Sequence, residues 1–187
     1  MGWFANLRLS WHRKKLLQHL ERQQQRSAKG QVSWSSAKRI GILFNASEPD
    51  MRKQVLQYAE RLRSQKKQVQ LLGFLPQQQE GQEYAFPVFT AKDIDWLYRP
   101  KGEAADTFRN EPFDILLDLS LSEDISRAYL CALSSASLKV GPSTELTYAY
   151  DLMIEVPASA GLKGFIPNME SLLDKTNRKN EPAQLPS

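Results

Sequence analysis

The chain has 187 residues, 41% of them apolar and 25% charged, which is enough for one ordinary core plus an arm and a tail. No run of about 18 apolar residues exists, so no helix is expected to span a bilayer; the N-terminus also lacks the apolar region and small-residue cleavage site of a secretory signal. A single cysteine, Cys131, rules out an internal disulfide and fits a reducing compartment.

The charge is unevenly placed. Residues 1–39 carry Arg8, Arg13, Lys14, Lys15, Arg22, Arg26, Lys29, Lys38 and Arg39 against one acid, Glu21, a net of +8. The whole chain is +4, which leaves the remainder at −4. The sequence therefore reads as a basic arm on a mildly acidic body. Residues 1–26 read as helical. Leu16, Leu17 and Leu20 share one face, while Phe4, Leu7 and Trp11 fall on nearly the opposite one. Two short helical pieces meeting near Ser10 fit this better than one amphipathic helix lying on a membrane. The polar stretch that follows reads as a linker, giving an arm and linker over 1–37, an α/β domain over 38–176 and a disordered tail over 177–187.

Within the domain, Arg39–Phe44 is a short apolar run rich in strand formers and is read as the first strand. Ser47 is placed to cap the helix after it, with Asp50 three residues on. Met51, Val55, Leu56, Tyr58, Ala59 and Leu62 supply the buried stripe. Val69–Leu75 is the second strand and completes a right-handed β-α-β unit. Tyr84–Phe89 reads as an edge strand because Pro87 excludes a central position. In Ala91–Tyr98, a turn or irregular segment, Trp96 is assigned to packing. Ala104–Asn110 forms one or two helical turns.

Phe113–Leu119 is the third long strand, with Asp114 at its solvent-facing entrance and Asp118 near its carboxyl end. Ser122 is expected to cap the next helix, whose buried face holds Ile125, Tyr129, Ala132 and Leu133. Lys139–Gly141 and Leu152–Val156 are further short strands, with a loop or short helix at 143–150. A last helix spans 164–176 and buries Ile166, Met169, Leu172 and Leu173. The fold class is α/β: a single open, mostly parallel, Rossmann-like sheet with helices on both faces, preceded by the basic helical arm.

Much chemistry is absent. His12 and His19, the only histidines, lie in the arm without a third ligand, so neither a zinc site nor a Ser-His-Asp triad in the body is expected. Cys131 sits in an apolar helix and reads as a packing residue. No glycine-rich phosphate loop occurs. Glu48, Asp50, Glu123 and Asp124 stand at helix starts, where a bound phosphate would need bare N–H groups. No metal or cofactor is expected. A cleft at the strand ends remains, with Asp118, Ser120, Ser122, Gly141, Ser143 and Thr144 as candidates for hydroxyl-bearing ligands. The plainer reading is that these residues cap helices and solvate loops.

Two resemblances attach to quoted segments. FDILLDLSLS…ALSSASLKVG, within Phe113–Gly141, resembles the sheet segment in the N-terminal half of lipopolysaccharide heptosyltransferases. The resemblance implies a Rossmann-like fold; the second half of that family, where its sugar-nucleotide site largely lies, has no counterpart in 187 residues. RIGILF, DIDWLYRPKG, PFDILLDLS, LSSASLKVGP and YDLMI together resemble a family of small uncharacterised Bacteroidota proteins over roughly Lys38 to Glu155. That resemblance implies a cytoplasmic bacterial protein and carries no catalytic residues.

Two functions follow as expectations. One is a non-catalytic interaction module whose arm, through Arg8, Arg13, Lys14, Lys15, Arg22 and Arg26, contacts RNA, the ribosome, a protein or anionic lipid, with Trp3, Trp11 and Trp34 adding stacking or anchoring. The arm can instead pack on its own domain or on a second copy. The other is a small-ligand-binding or glycosyltransferase-like domain using the cleft.

Overall fold

The computed structural model describes residues 32–77 and 83–178. The expected helical arm, its six anionic-surface candidates and most of the tail lie outside these residues.

Six parallel strands form one open sheet in the order β3-β2-β1-β4-β5-β6. They are β1 Arg39–Asn45, β2 Gln68–Leu75, β3 Val88–Thr90, β4 Ile115–Asp118, β5 Leu138–Pro142 and β6 Leu152–Ile154. The helices are α1 Pro49–Ser64, α2 Glu103–Asn110, α3 Ile125–Leu133 and α4 Gly161–Arg178. Every strand pair is parallel, in an α/β, Rossmann-like arrangement as expected from the sequence. Chain order reverses between β1 and β4, which is the topological switch point of such a sheet.

Strand alternation explains the layers. Ile40, Ile42 and Phe44 of β1 turn to one face and pack with Val55 and Leu62 of α1 and Phe165 and Met169 of α4. Leu43 and Leu116 turn to the other face, with Phe108 of α2 and Ala128 and Cys131 of α3. Right-handed crossovers that step in opposite directions along a sheet must place their helices on opposite faces, and α1 and α3 do so. A bidentate bond from Arg61 Nη2 to Glu170, at 3.0 and 3.1 Å, ties α1 to α4 on the shared face.

Several local expectations need correction. Ser47 does not cap α1: Glu48 holds that position without a side-chain bond, and Ser47 Oγ donates instead to Asn45 Oδ1 at 2.7 Å. Pro49 opens the helix and needs no N–H partner. Ser122 does not cap α3; Asp124 does, its carboxylate accepting from the Arg127 N–H at 2.9 Å. Trp96 is 63% exposed rather than buried, and Leu172 is exposed as well. The edge strand β3 is shorter than expected and begins after Pro87.

Trp34, read from sequence as part of a linker and a stacking residue, is buried in the core. Lys67 Nζ lies 4.9 Å from its ring centre and donates to Trp34 O and Ala37 O at 2.9 and 2.7 Å. Asp114 is not simply solvated. Its Oδ2 accepts from the N–H groups of Lys38 and Arg39 at 2.7 and 2.9 Å, fastening the start of β1 to the entrance of β4.

Candidate functional site

β4 and β5 are neighbours, so the loops after them meet at the carboxyl end of the sheet. Asp118 ends β4 and is 2% exposed. Its Oδ1 accepts from the Ser120 N–H at 2.9 Å, and its Oδ2 accepts from the Tyr150 hydroxyl at 2.7 Å. The tyrosine reaches it because Gly141 carries no side chain: a Cβ there would run into the Tyr150 ring. Three of the residues nominated from sequence, Asp118, Ser120 and Gly141, thus come together, but under the Tyr150 ring.

The other three nominated residues stand apart in role. Ser122 is exposed, and its carbonyl accepts from Arg127 Nη2. Ser143 is exposed and uses its N–H on Ile154 O at 3.0 Å. Thr144 Oγ1 accepts from the Leu146 N–H at 3.2 Å, a local turn contact. The two loops touch where Glu123 Oε2 accepts from the Glu145 N–H at 3.0 Å.

Arg127, Lys139 and Tyr150 complete a buried polar cluster that sequence reading missed. Arg127 is 2% exposed, and its guanidinium carbon lies 5.6 Å from the Phe74 ring centre. Its Nε has no partner, and neither has the Oγ of fully buried Ser120. Lys139 Nζ donates to Ala132 O at 2.7 Å. The signal was a lone arginine inside ISRAYLCAL, an otherwise apolar helix on a covered face. Arginine is rarely buried fully, so its position there was the visible anomaly.

The electrostatics make this cluster a brace. Burial, reinforced by the Asp118 charge, pushes the Tyr150 hydroxyl far above its ordinary range, so it stays a donor. Burial, with the same carboxylate adding to it, also holds the Cys131 thiol well up and protonated. Both oxygens of Asp118 are occupied, one phenol is locked as a donor and the thiol is not a nucleophile.

A second feature lies at the ends of β1 and β2. A cavity of about 550 Å³ is bordered by Ser47, Pro49, Arg52, Leu75 and Tyr84. Arg52 Nη1 bonds Ala46 O and Ser47 O, and its guanidinium carbon is 5.7 Å from the Tyr84 ring centre. Acidic residues begin the helices at both strand ends: Glu48 and Asp50 at α1, and Asp124 at α3. Among the described residues no group of three or more His, Cys, Asp or Glu is placed to hold a metal ion, and no helix is long and apolar enough to cross a membrane.

The chain belongs to DUF6913, a family of unknown function, whose pattern matches residues 8–175. No curated protein and no solved structure matches it.

Proposed function

We propose that this member of DUF6913 is a non-catalytic interaction module, its α/β body a scaffold from which the basic N-terminal residues contact RNA or the ribosome. The carrying observation is the charge division, +8 within residues 1–39 against −4 in the remainder. Clustered Lys and Arg attract phosphates without regard to sequence, and each phosphate contact releases counterions. Trp3 and Trp11 add faces on which bases stack. The body supports this reading because the ends of β4 and β5 are filled by its own side chains: Tyr150 covers Gly141 and latches Asp118.

The test uses the full chain and a variant with Arg8, Arg13, Lys14, Lys15, Arg22 and Arg26 all replaced by Gln. Truncation to Lys38 would remove Trp34 from the core and confuse the result. Co-sedimentation with ribosomes and binding to single-stranded RNA are measured over a salt series. Six phosphate contacts give a slope of log K against log salt of about −4 on a single strand. Loss of both binding and slope in the variant is expected. Equal behaviour of the two proteins, or binding confined to anionic vesicles, counts against the reading.

A second reading rests on two buried polar atoms without a partner in the segment that follows β4, Ser120 Oγ and Arg127 Nε. A sugar, nucleotide sugar or amino acid entering beneath Tyr150 would find both, as in a ligand-binding or glycosyltransferase-like domain. It requires that such a ligand raise the melting temperature, and that Asp118→Ala abolish the shift. A metabolite screen without any shift ends it.

A further inference from the structure

We propose that the hairpin after β3 is a stacking platform for single-stranded RNA, with the exposed indole of Trp96 taking a base and Lys92, Arg99 and Lys101 supplying charge for the phosphates. This rests on the reading of the chain as an RNA-binding module and adds a contact made by the body. The hairpin lies between β3 and α2 at the carboxyl end of the sheet, where the loops of such folds carry function. Lys101 N–H donates to Asp93 O at 2.7 Å, Asp95 N–H to Arg99 O at 3.0 Å and Tyr98 N–H to Asp95 O at 3.0 Å, with an antiparallel bridge between Ile94 and Pro100. These bonds define a three-residue loop, a turn closed by a left-handed residue. That residue is Tyr98, at φ 62°, where glycine is the unstrained choice. Asp95 holds the strained turn in place. Its Oδ1 accepts from the N–H groups of Leu97 and Arg99 at 2.8 and 3.0 Å, and its Oδ2 from Arg99 Nε at 2.8 Å. Leu97 is buried and roots the loop, so Trp96 is presented to solvent on a braced tip.

Charge and ring together select the occupant. Both carboxylates of the hairpin are spent within it: Asp95 as above, and Asp93 on the N–H and hydroxyl of Thr90 at 2.7 and 2.8 Å. Lys92 and Lys101 are exposed. Arg99 and Lys101 gather at Asp95, the residue before Trp96, at 2.7 and 3.5 Å. Glu103, also exposed, opens α2 two residues after Lys101 and ends the basic stretch. A protein partner would ask for a contiguous apolar patch. Among the described residues the exposed large apolar side chains are Trp96 and Leu172. Leu172 belongs to α4, which packs on the face of the sheet opposite to the one that Ile94 joins, so the two make no common patch. A single ring with cations beside it suits a nucleic-acid strand instead. Every base offers a π-face, stacking needs no particular sequence, and the cations meet the phosphates.

Fluorescence anisotropy of a labelled single-stranded oligoadenylate with the full chain, over a salt series, tests this. Trp96→Ala should weaken binding roughly 5- to 150-fold, the range for one stacked base. It removes no charge, so the slope of log K against log salt should stay as in the wild type. Trp96→Phe keeps a ring and should lose less. Lys92→Gln should lower the slope by about 0.7, one phosphate contact on a single strand. The melting temperature of Trp96→Ala should match the wild type, because the side chain is exposed. The arm variant with six Gln acts on the slope and Trp96→Ala on affinity at constant slope, so the two readings fail separately. An affinity unchanged by Trp96→Ala would overturn the hairpin proposal and leave the ring to a protein partner, whatever the arm variant does. A weakening that comes with a lower melting temperature would overturn it too. No RNA binding by the full chain would overturn both readings.

Discussion

Tyr150 donates its hydroxyl hydrogen to Asp118 at 2.7 Å, joining the loop after β5 to the end of β4. The bond occupies a carboxylate oxygen at the place where open α/β sheets put their ligands. Tyr150→Phe leaves that oxygen buried with one partner fewer. A loss of about 1–3 kcal/mol in urea unfolding is expected, the range for an orphaned buried acceptor. The pH dependence has a definite sign. The folded hydroxyl titrates above its ordinary value near 10, so its stabilising share is intact below that pH and declines as pH rises beyond it. The difference between wild type and Tyr150→Phe should therefore narrow above pH 10 and be flat below it.

The same ring sets the tolerance of Gly141. A Cβ at Gly141 would strike Tyr150, and β1, on the far side of β4, repeats the device: a Cβ at Gly41 would lie 2.6 Å from the Phe113 ring. Gly141→Ala should cost about 1–3 kcal/mol by overpacking. Combined with Tyr150→Ala it should cost less than the sum of the two single changes, because the obstacle has gone. Additive losses in chemical denaturation would show that the ring is not what forbids the side chain.

The sheet was legible because buried parallel strands read as apolar runs: RIGILF and ILLD needed no partner to be recognised. Asp118 and Gly141 were legible as strand-end residues. Tyr150 was not connected to either, because the bond spans 32 positions and depends on β4 and β5 being adjacent. The helix caps failed for a related reason. Serine, aspartate and glutamate are near-equivalent at a loop, and only backbone geometry chose Asp124 over Ser122 and left Glu48 without a side-chain bond. Trp34 failed because its partners are distant in the chain: it joins the core on the α1 face of the sheet, and Lys67, after α1, lies over its ring.

Asp114 makes a clasp that acid should open. Burial by itself would raise its carboxyl, but the Arg39 and Lys38 N–H groups and the Arg39 charge outweigh burial and hold it below the usual value. A depressed folded value means that the stabilisation is present above about pH 4 and is lost as pH falls through the folded value. Asp114→Ala should destabilise by about 2–3 kcal/mol at neutral pH, the scale of hydrogen bonds to a charged group. The gap from wild type should close progressively below pH 4, measured as urea midpoints across a pH series. A gap independent of pH would assign the loss to something other than the carboxylate.

Arg127 distinguishes a structural brace from a retained functional group. Its charge is taken out of water, its Nε makes no bond, and among the described residues no carboxylate lies within ion-pair distance. Its compensation is the Ser122 carbonyl and the face of Phe74. A buried cation so sparsely compensated contributes little to stability, and an apolar residue of similar length fills the space without the desolvation cost. Arg127→Met is therefore expected to leave stability unchanged or raise it by about 1–3 kcal/mol, whereas Arg127→Ala opens a void and costs about 2–4 kcal/mol. Thermal and urea unfolding of the two variants decide this. A loss in Met as large as that in Ala would mean that the guanidinium itself holds the β4–α3 loop. A stable Met variant would leave the charge without a folding role and turn attention to the ligand reading of this corner.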